Sequence, residues 1–153
     1  MGGNPSIEQN TLSPCVIMTK SDTSGFYALL VRSDDGHQRA QEILAGAGEK
    51  RQHFVTTDYV LDETATLLMA RGYRGVIAKF FEGVFESKAC RLIWMDVDSF
   101  EKTKRLFLRT LDKGWSVTDC FSFIVMKELR LREALTKDDH FRAAGFRPLL
   151  RDS

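Results

Sequence analysis

The chain has 153 residues, which is room for one ordinary domain. It is 43% hydrophobic and 28% charged, close to the average of soluble globular proteins, and this composition excludes wholesale disorder. The net charge of +1 gives no nucleic-acid footprint by itself, although residues 101–153 contain 12 Lys and Arg against 8 Asp and Glu. The composition therefore predicts a single globular domain whose second half is basic.

The cellular compartment is indicated by what the sequence lacks. No apolar run approaches the roughly 18 residues that a membrane span needs. Residues 1–10 have neither the positive end nor the apolar stretch of a signal peptide. The three cysteines, Cys15, Cys90 and Cys120, have no CxxC spacing, so we expect small buried hydrophobes rather than disulfides or a zinc site. These features favour a cytoplasmic protein without membrane contact.

Residues 1–14 are polar, contain two glycines and two prolines, and are predicted to be an N-terminal extension of one domain over residues 15–153. Short apolar runs inside the domain predict five strands, at residues 15–18, 54–57, 92–95, 133–136 and 147–150. Segments with apolar residues at helical spacing separate most of these runs, at about residues 23–31, 40–47, 58–70, 74–86, 98–111 and 120–129. This alternation is typical of an α/β domain with a mostly parallel sheet covered on both faces.

Two segments have the spacing of a helix capping box. Asp98 with Glu101 predicts the start of the helix that runs to residue 111, and Ser116 with Asp119 predicts the start of the next helix. The helix over residues 120–129 is apolar on nearly every side, so we expect it to be buried on more than one face.

Four acidic residues occupy positions that suit a ligand site. In a parallel sheet, ligands bind beyond the carboxyl ends of the strands. Asp22 follows the first strand, Asp138 follows the fourth, and Asp119 lies in the first turn of the buried helix. Glu63 lies on an otherwise apolar helical face, where a carboxylate is costly unless something positive meets it. Converging carboxylates repel one another, and a hard divalent cation, Mg²⁺ or Mn²⁺, resolves that repulsion.

Each of these acids also has a plain structural interpretation. Asp119 suits a capping role, Asp22 and Asp138 suit turns, and Glu63 could pair with an arginine. Only their combination points to a site.

Other chemistries have weaker support. The three histidines, His37, His53 and His140, show no metal-ligand spacing, and no Gly-rich phosphate-binding loop is present. A carboxylate-bound divalent ion that activates water and stabilises phosphoryl charge would instead support phosphodiester hydrolysis.

Four segments in chain order resemble the motifs of PIN-domain ribonucleases. They are SDTSGFYALL at 21–30, TDYVLDET at 57–64, WSVTDC at 115–120 and ALTKDDHF at 134–141. Together they extend over about residues 15 to 150 and are far more specific than any one of them. The sequence is most similar to the VapC-like toxins and their solitary relatives within that family.

This resemblance implies a three-layer α/β/α fold with a five-stranded parallel sheet, and a metal-dependent endoribonuclease activity on RNA. It assigns Asp22, Glu63, Asp119 and Asp138 to an acidic site for Mg²⁺ or Mn²⁺, and Ser24 to a hydroxyl position beside them. It also implies a homodimer, and inhibition by an antitoxin protein whose tail enters the acidic groove.

The hypothetical mechanism is in-line attack of a metal-bound water on phosphorus, with the RNA backbone following basic residues of the second half: Lys113, Arg130, Arg132 and Arg142. One alternative is a non-catalytic PIN-fold module that binds nucleic acid or protein. Another is a different metal-dependent phosphohydrolase that acts on DNA or a nucleotide.

The fourth motif contains two adjacent acids, and its spacing matches the family only if Asp138 is the site residue. Asp139 is then expected to be a solvated or capping residue near His140.

Overall fold

The computed structural model describes residues 15–18 and 25–151. The predicted extension over residues 1–14, and the predicted site residues Asp22 and Ser24, lie outside the described residues.

Five strands and seven α-helices make up this part of the chain. The strands are β1 (Cys15–Met18), β2 (His53–Thr57), β3 (Cys90–Ile93), β4 (Glu133–Leu135) and β5 (Arg147–Pro148). The helices are α1 (Gly25–Leu30), α2 (His37–Glu49), α3 (Asp58–Ala70), α4 (Ile77–Glu86), α5 (Val97–Arg109), α6 (Val117–Glu128) and α7 (Asp139–Ala143). Short 3₁₀ segments at Arg74–Val76 and Leu111–Lys113 precede α4 and follow α5.

The strands form one sheet in the order β3-β2-β1-β4-β5, and every neighbouring pair is parallel. The predicted α/β class is confirmed. The chain adds β2 and β3 on one side of β1 and then returns to add β4 on the other side. All carboxyl ends therefore lie at one edge of the sheet, with the topological switch point between β1 and β4.

Successive residues of the central strands face opposite layers of helices. On β2, Phe54 packs into the core beneath α1 to α4, whereas Val55 packs into the core beneath α6 and α7. On β4, Ala134 and Leu135 divide between the two cores in the same way. Because successive side chains of each strand point to opposite faces of the sheet, and helices cover both faces, the domain has three α/β/α layers.

Several predicted boundaries are corrected by the structure. The third strand covers Cys90–Ile93 rather than residues 92–95, and the last two strands are shorter than predicted. The helix predicted over 74–86 begins with a 3₁₀ turn and becomes α-helical at Ile77.

The capping box predicted at Asp98 is wrong. Asp96 is the N-cap of α5, with extended backbone, and its side chain accepts a hydrogen bond of 2.7 Å from the Ser99 N–H. Asp98 lies inside the first helical turn. The Met95 N–H donates to Oδ1 of Asp58, the first residue of α3, at 3.1 Å, and this bond fixes the chain just before the cap.

The predicted burial of the cysteines is confirmed for Cys120, which is buried, while Cys90 is half-buried; both are free thiols. Burial raises the pKa of the Cys90 thiol to about 11, so it stays protonated and unreactive at neutral pH. No helix in residues 15–18 and 25–151 is long and apolar enough to cross a membrane.

Candidate active site at the carboxyl edge of the sheet

The start of α6 places Asp119 in the site. The predicted capping box is confirmed: Ser116 Oγ accepts from the Asp119 N–H at 3.0 Å, and Asp119 Oδ2 accepts from the Ser116 N–H at 3.2 Å. These two bonds hold the Asp119 carboxylate in position, and the residue is only 6% exposed. Most of α6 beyond it is buried, as its apolar sequence predicts.

The turn after β4 places Asp138. Its N–H donates to Thr136 Oγ1 at 3.0 Å, and its Oδ1 accepts from the His140 N–H at 2.9 Å as the N-cap of α7. The Asp138 side chain is 20% exposed, so it is open to a ligand from solvent.

These two carboxylates meet at His140. Its Nδ1 lies 3.4 Å from Asp119 Oδ2 and 3.5 Å from Asp138 Oδ1. One ligand atom from each of the three residues lies within 4.8 Å of the others. The sequence analysis missed His140, because its spacing in the chain matches no histidine metal motif. The available signal was its position two residues after a predicted site acid.

Glu63 reaches the same region from α3. Its Oε2 accepts a hydrogen bond of 2.8 Å from Thr118 Oγ1, and Thr118 is the buried neighbour of Asp119. The group of atoms within 4.8 Å does not include Glu63. Glu63 therefore adjoins the cluster through α6.

The adjacent acid Asp139 is directed elsewhere. Its side chain is 57% exposed, and its Oδ2 lies 3.0 Å from Arg151 Nη2. Neighbouring carboxylates in this turn thus face different partners.

The electrostatics of the cluster explain why it suits a cation. Burial raises the pKa of Asp119, and repulsion from Asp138 raises it further, whereas the Ser116 N–H and His140 act in the opposite direction. The net upward shift of the Asp119 pKa means that the protein's own groups do not fully compensate the charge of the ionised carboxylate. Two carboxylates and an imidazole nitrogen at these separations are a donor set that fits a divalent metal ion.

A basic groove lies beside the site, between α5 and α6. Its volume is about 410 Å³, and its lining includes the largely buried Trp115 and four basic residues: Lys102, Arg105, Arg109 and Lys127. Lys102 Nζ contacts Glu128 Oε2 at 2.7 Å near the far end of α6. Trp115 immediately precedes the Ser116 cap, so the groove ends next to the turn that holds Asp119.

The predicted backbone-binding residues are mostly placed away from this groove. Arg130 and Arg132 precede β4 and so lie toward the amino edge of the sheet, opposite the carboxylates. Arg142 lies on α7, with its Nε 3.9 Å from Asp139 Oδ1. Lys113 is the exception, since its Nζ lies 5.5 Å from the centroid of the Trp115 ring. The expectation for Arg130 and Arg132 is corrected because they precede β4, whereas Asp138 follows it at the opposite edge of the sheet.

Comparison with known proteins connects these features to a family. The family model of the PIN domain matches residues 21–147. A VapC ribonuclease of Archaeoglobus fulgidus is 35% identical over 114 residues, which cover 72% of this chain and 71% of the relative. The 23S rRNA-specific endonuclease VapC20 of Mycobacterium tuberculosis is 32% identical over 126 residues, 82% of this chain and 92% of the relative. The crystal structure of that VapC20, described as a sarcin-ricin loop cleaving toxin, matches with a TM-score of 0.74 and 26% identity, over 86% of this chain and 95% of that one.

Proposed function

Because this chain belongs to the PIN domain family, we propose that it is a metal-dependent endoribonuclease that hydrolyses RNA phosphodiester bonds. The observation that carries the proposal is the meeting of Asp119 and Asp138 at the carboxyl edge of the sheet, where ligands of parallel sheets bind.

The curated relatives indicate the biological role. Their names describe a ribonuclease and an rRNA-specific endonuclease, and the similar solved structure is that of a toxin. We therefore propose that the chain is the toxin of a toxin–antitoxin pair, with a protein antitoxin as partner and cytoplasmic RNA as substrate. A reading frame for a small antitoxin next to the gene would support this role.

The proposed metal is Mg²⁺ or Mn²⁺, held by Asp119 and Asp138, with Asp22 and Glu63 completing the acidic set and Ser24 beside it. When bound, such an ion supplies an activated water and stabilises the charge that develops on the phosphoryl group. The contribution of the protein itself is to position the metal-binding carboxylates. The Ser116 cap and the α7 turn hold the two carboxylates before any ligand arrives.

The proposed path for RNA is the basic groove between α5 and α6. Arg105 and Arg109 lie on consecutive turns of α5 and present charge along a line that ends at Trp115, next to the site. Cations along such a line bind phosphates without regard to base sequence.

The proposed homodimer would use an aromatic patch formed by Phe81, Phe85 and Trp94. Phe85 and Trp94 are 58% and 59% exposed, and their ring centroids lie 6.3 Å apart. Exposed apolar patches mark interaction sites, and a two-fold interface pairs the same patch of both subunits. Light scattering on Phe85→Glu should then show a monomer, while Leu111→Glu, an equally exposed apolar position, should leave the dimer intact.

The decisive experiment is an RNA-cleavage assay with Mg²⁺, Mn²⁺ or excess EDTA, on wild type, Asp119→Asn and Asp22→Asn. We expect metal-dependent cleavage that both substitutions abolish. Undiminished cleavage in EDTA would contradict the metal dependence. RNA binding without cleavage would favour the non-catalytic binding module, and cleavage of DNA alone would favour the other phosphohydrolase.

A further inference from the structure

His140 has a position that the acidic site does not account for. It is 39% exposed in its side chain, yet its Nδ1 faces inward to both Asp119 and Asp138 instead of outward to water. A partly exposed imidazole whose Nδ1 faces two proposed metal ligands is well placed to be a ligand itself.

We propose that His140 Nδ1 binds the same divalent ion as Asp119 and Asp138, so that the site has a mixed oxygen and nitrogen donor set that favours Mn²⁺ over Mg²⁺. This inference rests on the proposed function, because it concerns the metal site of that function. It adds a nitrogen ligand to a metal site for which the sequence predicts only carboxylate ligands.

The separations are close to those of ligands that share one ion. With metal–ligand bonds of about 2.0–2.2 Å, adjacent ligand atoms on one octahedral centre lie about 2.8–3.1 Å apart. The Nδ1 distances of 3.4 Å to Asp119 Oδ2 and 3.5 Å to Asp138 Oδ1 exceed this interval by a few tenths of an ångström, so a small contraction would let these atoms bind one ion.

The local fold holds these atoms in place. The His140 N–H is bonded to Asp138 Oδ1, so one turn fixes both residues relative to each other. The next residue, Phe141, is 1% exposed, and its ring centroid lies 4.7 Å from that of Phe123 on α6. Phe123 lies one helical turn after Asp119. The packing of Phe141 on Phe123 therefore holds His140 near Asp119 before an ion binds.

The donor type predicts which ion is bound. Mg²⁺ prefers oxygen ligands and releases its waters reluctantly, whereas imidazole nitrogen suits transition-metal ions. A nitrogen ligand thus adds more affinity for Mn²⁺ than for Mg²⁺. Loss of the imidazole should reduce that preference while leaving an oxygen site behind.

Pulsed electron paramagnetic resonance on the Mn²⁺-loaded full chain tests the inference directly, because it detects a nitrogen bonded to the ion. We expect a directly bound ¹⁴N signal in wild type and in His53→Gln, and its loss in His140→Gln. His53 is a suitable control because it begins β2, at the opposite edge of the sheet. Thermal unfolding of the metal-free variants verifies that each one folds.

A titration adds a quantitative readout. Mn²⁺ affinity of His140→Gln should fall about tenfold or more, the scale on which metal-site substitutions act. Mg²⁺ affinity, measured by competition against Mn²⁺, should fall less than Mn²⁺ affinity.

Failure of the histidine ligand can be distinguished from failure of the proposed function. If Mn²⁺ binds and RNA is cut, but the nitrogen signal is absent or survives in His140→Gln, the histidine ligand is disproved and the proposed function stands. In that case His140 is only an ion-pair partner of the two carboxylates. If wild type neither binds Mn²⁺ nor cuts RNA with any divalent ion, the proposed function fails and the inference fails with it.

Discussion

Asp138 and Asp139 are adjacent carboxylates with different surroundings, and activity should separate them. Asp138→Asn removes one charge from the cluster, and we expect the cleavage rate to fall roughly 10²-fold or more. The asparagine keeps an oxygen that can cap α7, so the fold should survive. Initial rates at saturating Mg²⁺ are the measurement.

The matched control is Asp139→Asn, since Asp139 is exposed and paired with Arg151. Its rate should stay within a few-fold of wild type, and its free energy of unfolding should change by about 0.5 kcal/mol or less. If this variant is the inactive one, the register of the fourth motif is wrong.

The buried carboxylate of Asp119 should lower the stability of the metal-free protein. Its pKa is raised in the folded state, chiefly by burial, so the ionised form is penalised on folding. Asp119→Asn removes the charge and keeps an acceptor for the Ser116 N–H. We expect its Tm without metal at pH 7 to be higher than that of wild type by roughly 2–4 °C.

The pH dependence of this difference has a definite sign. A carboxyl whose folded pKa is raised costs stability above that pKa and costs nothing below the unfolded value of about 3.9. The Tm difference between Asp119→Asn and wild type should therefore shrink as the pH falls from 7 toward 4. A difference that grows on acidification would contradict the assigned cause.

At the scale of elements, the start of α5 is fixed by Asp96 rather than by Asp98. The Asp96 side chain accepts from the Ser99 N–H, and this bond lowers the pKa of Asp96. Asp96→Ala should lower Tm by roughly 2–4 °C, because it removes a helix cap. Asp98→Ala, in the same turn without that bond, should lower Tm distinctly less. Equal losses in the two variants would show that only the charge near the helix start matters.

The groove between α5 and α6 should govern affinity for RNA. The double variant Arg105→Ala and Arg109→Ala removes two cations from its wall. We expect weaker binding of a single-stranded RNA in EDTA, and a salt dependence whose log–log slope is smaller by about 1.4, from two lost phosphate contacts. Fluorescence anisotropy at several salt concentrations gives both quantities.

The control for charge is the double variant Lys50→Ala and Lys88→Ala. These exposed lysines precede β2 and β3, at the amino edge of the sheet. Their loss changes net charge equally and should leave the slope unchanged. An equal effect of both double variants would mean that overall charge, not the groove, attracts RNA.

For the whole molecule, metal binding should be linked to folding. An ion that binds the native cluster and not the unfolded chain stabilises the protein by about 2.7 kcal/mol at 100 times its Kd. In a domain of this length that corresponds to a Tm rise of roughly 5–10 °C. Scanning calorimetry with and without Mn²⁺ measures it, and Asp119→Asn should show little of the rise. Equal Tm values for metal-free and metal-loaded wild type would argue against a site formed only on folding.

The sequence determined the features that depend on neighbouring residues. Apolar runs and helical spacing predicted the alternation of strands and helices, and the Ser116–Asp119 capping box is confirmed because all its bonds lie within four positions. The order of the four motifs indicated the family, and the acids Asp119 and Asp138 at the carboxyl edge follow from parallel strands.

Only the tertiary structure decided which groups meet across the chain. His140 joins Asp119 because the packing of Phe141 on Phe123 brings α7 onto α6, and no local pattern encodes that contact. The sequence predicted that α5 starts at Asp98, whereas Asp96 is its N-cap, and the bond from the Met95 N–H to Asp58, 37 residues away, fixes the chain just ahead of that cap. The basic groove likewise exists only where α5 lies against α6. Spacing along one helix or strand fixes which residues share a face, whereas the distance between faces is set by side chains packing from distant segments.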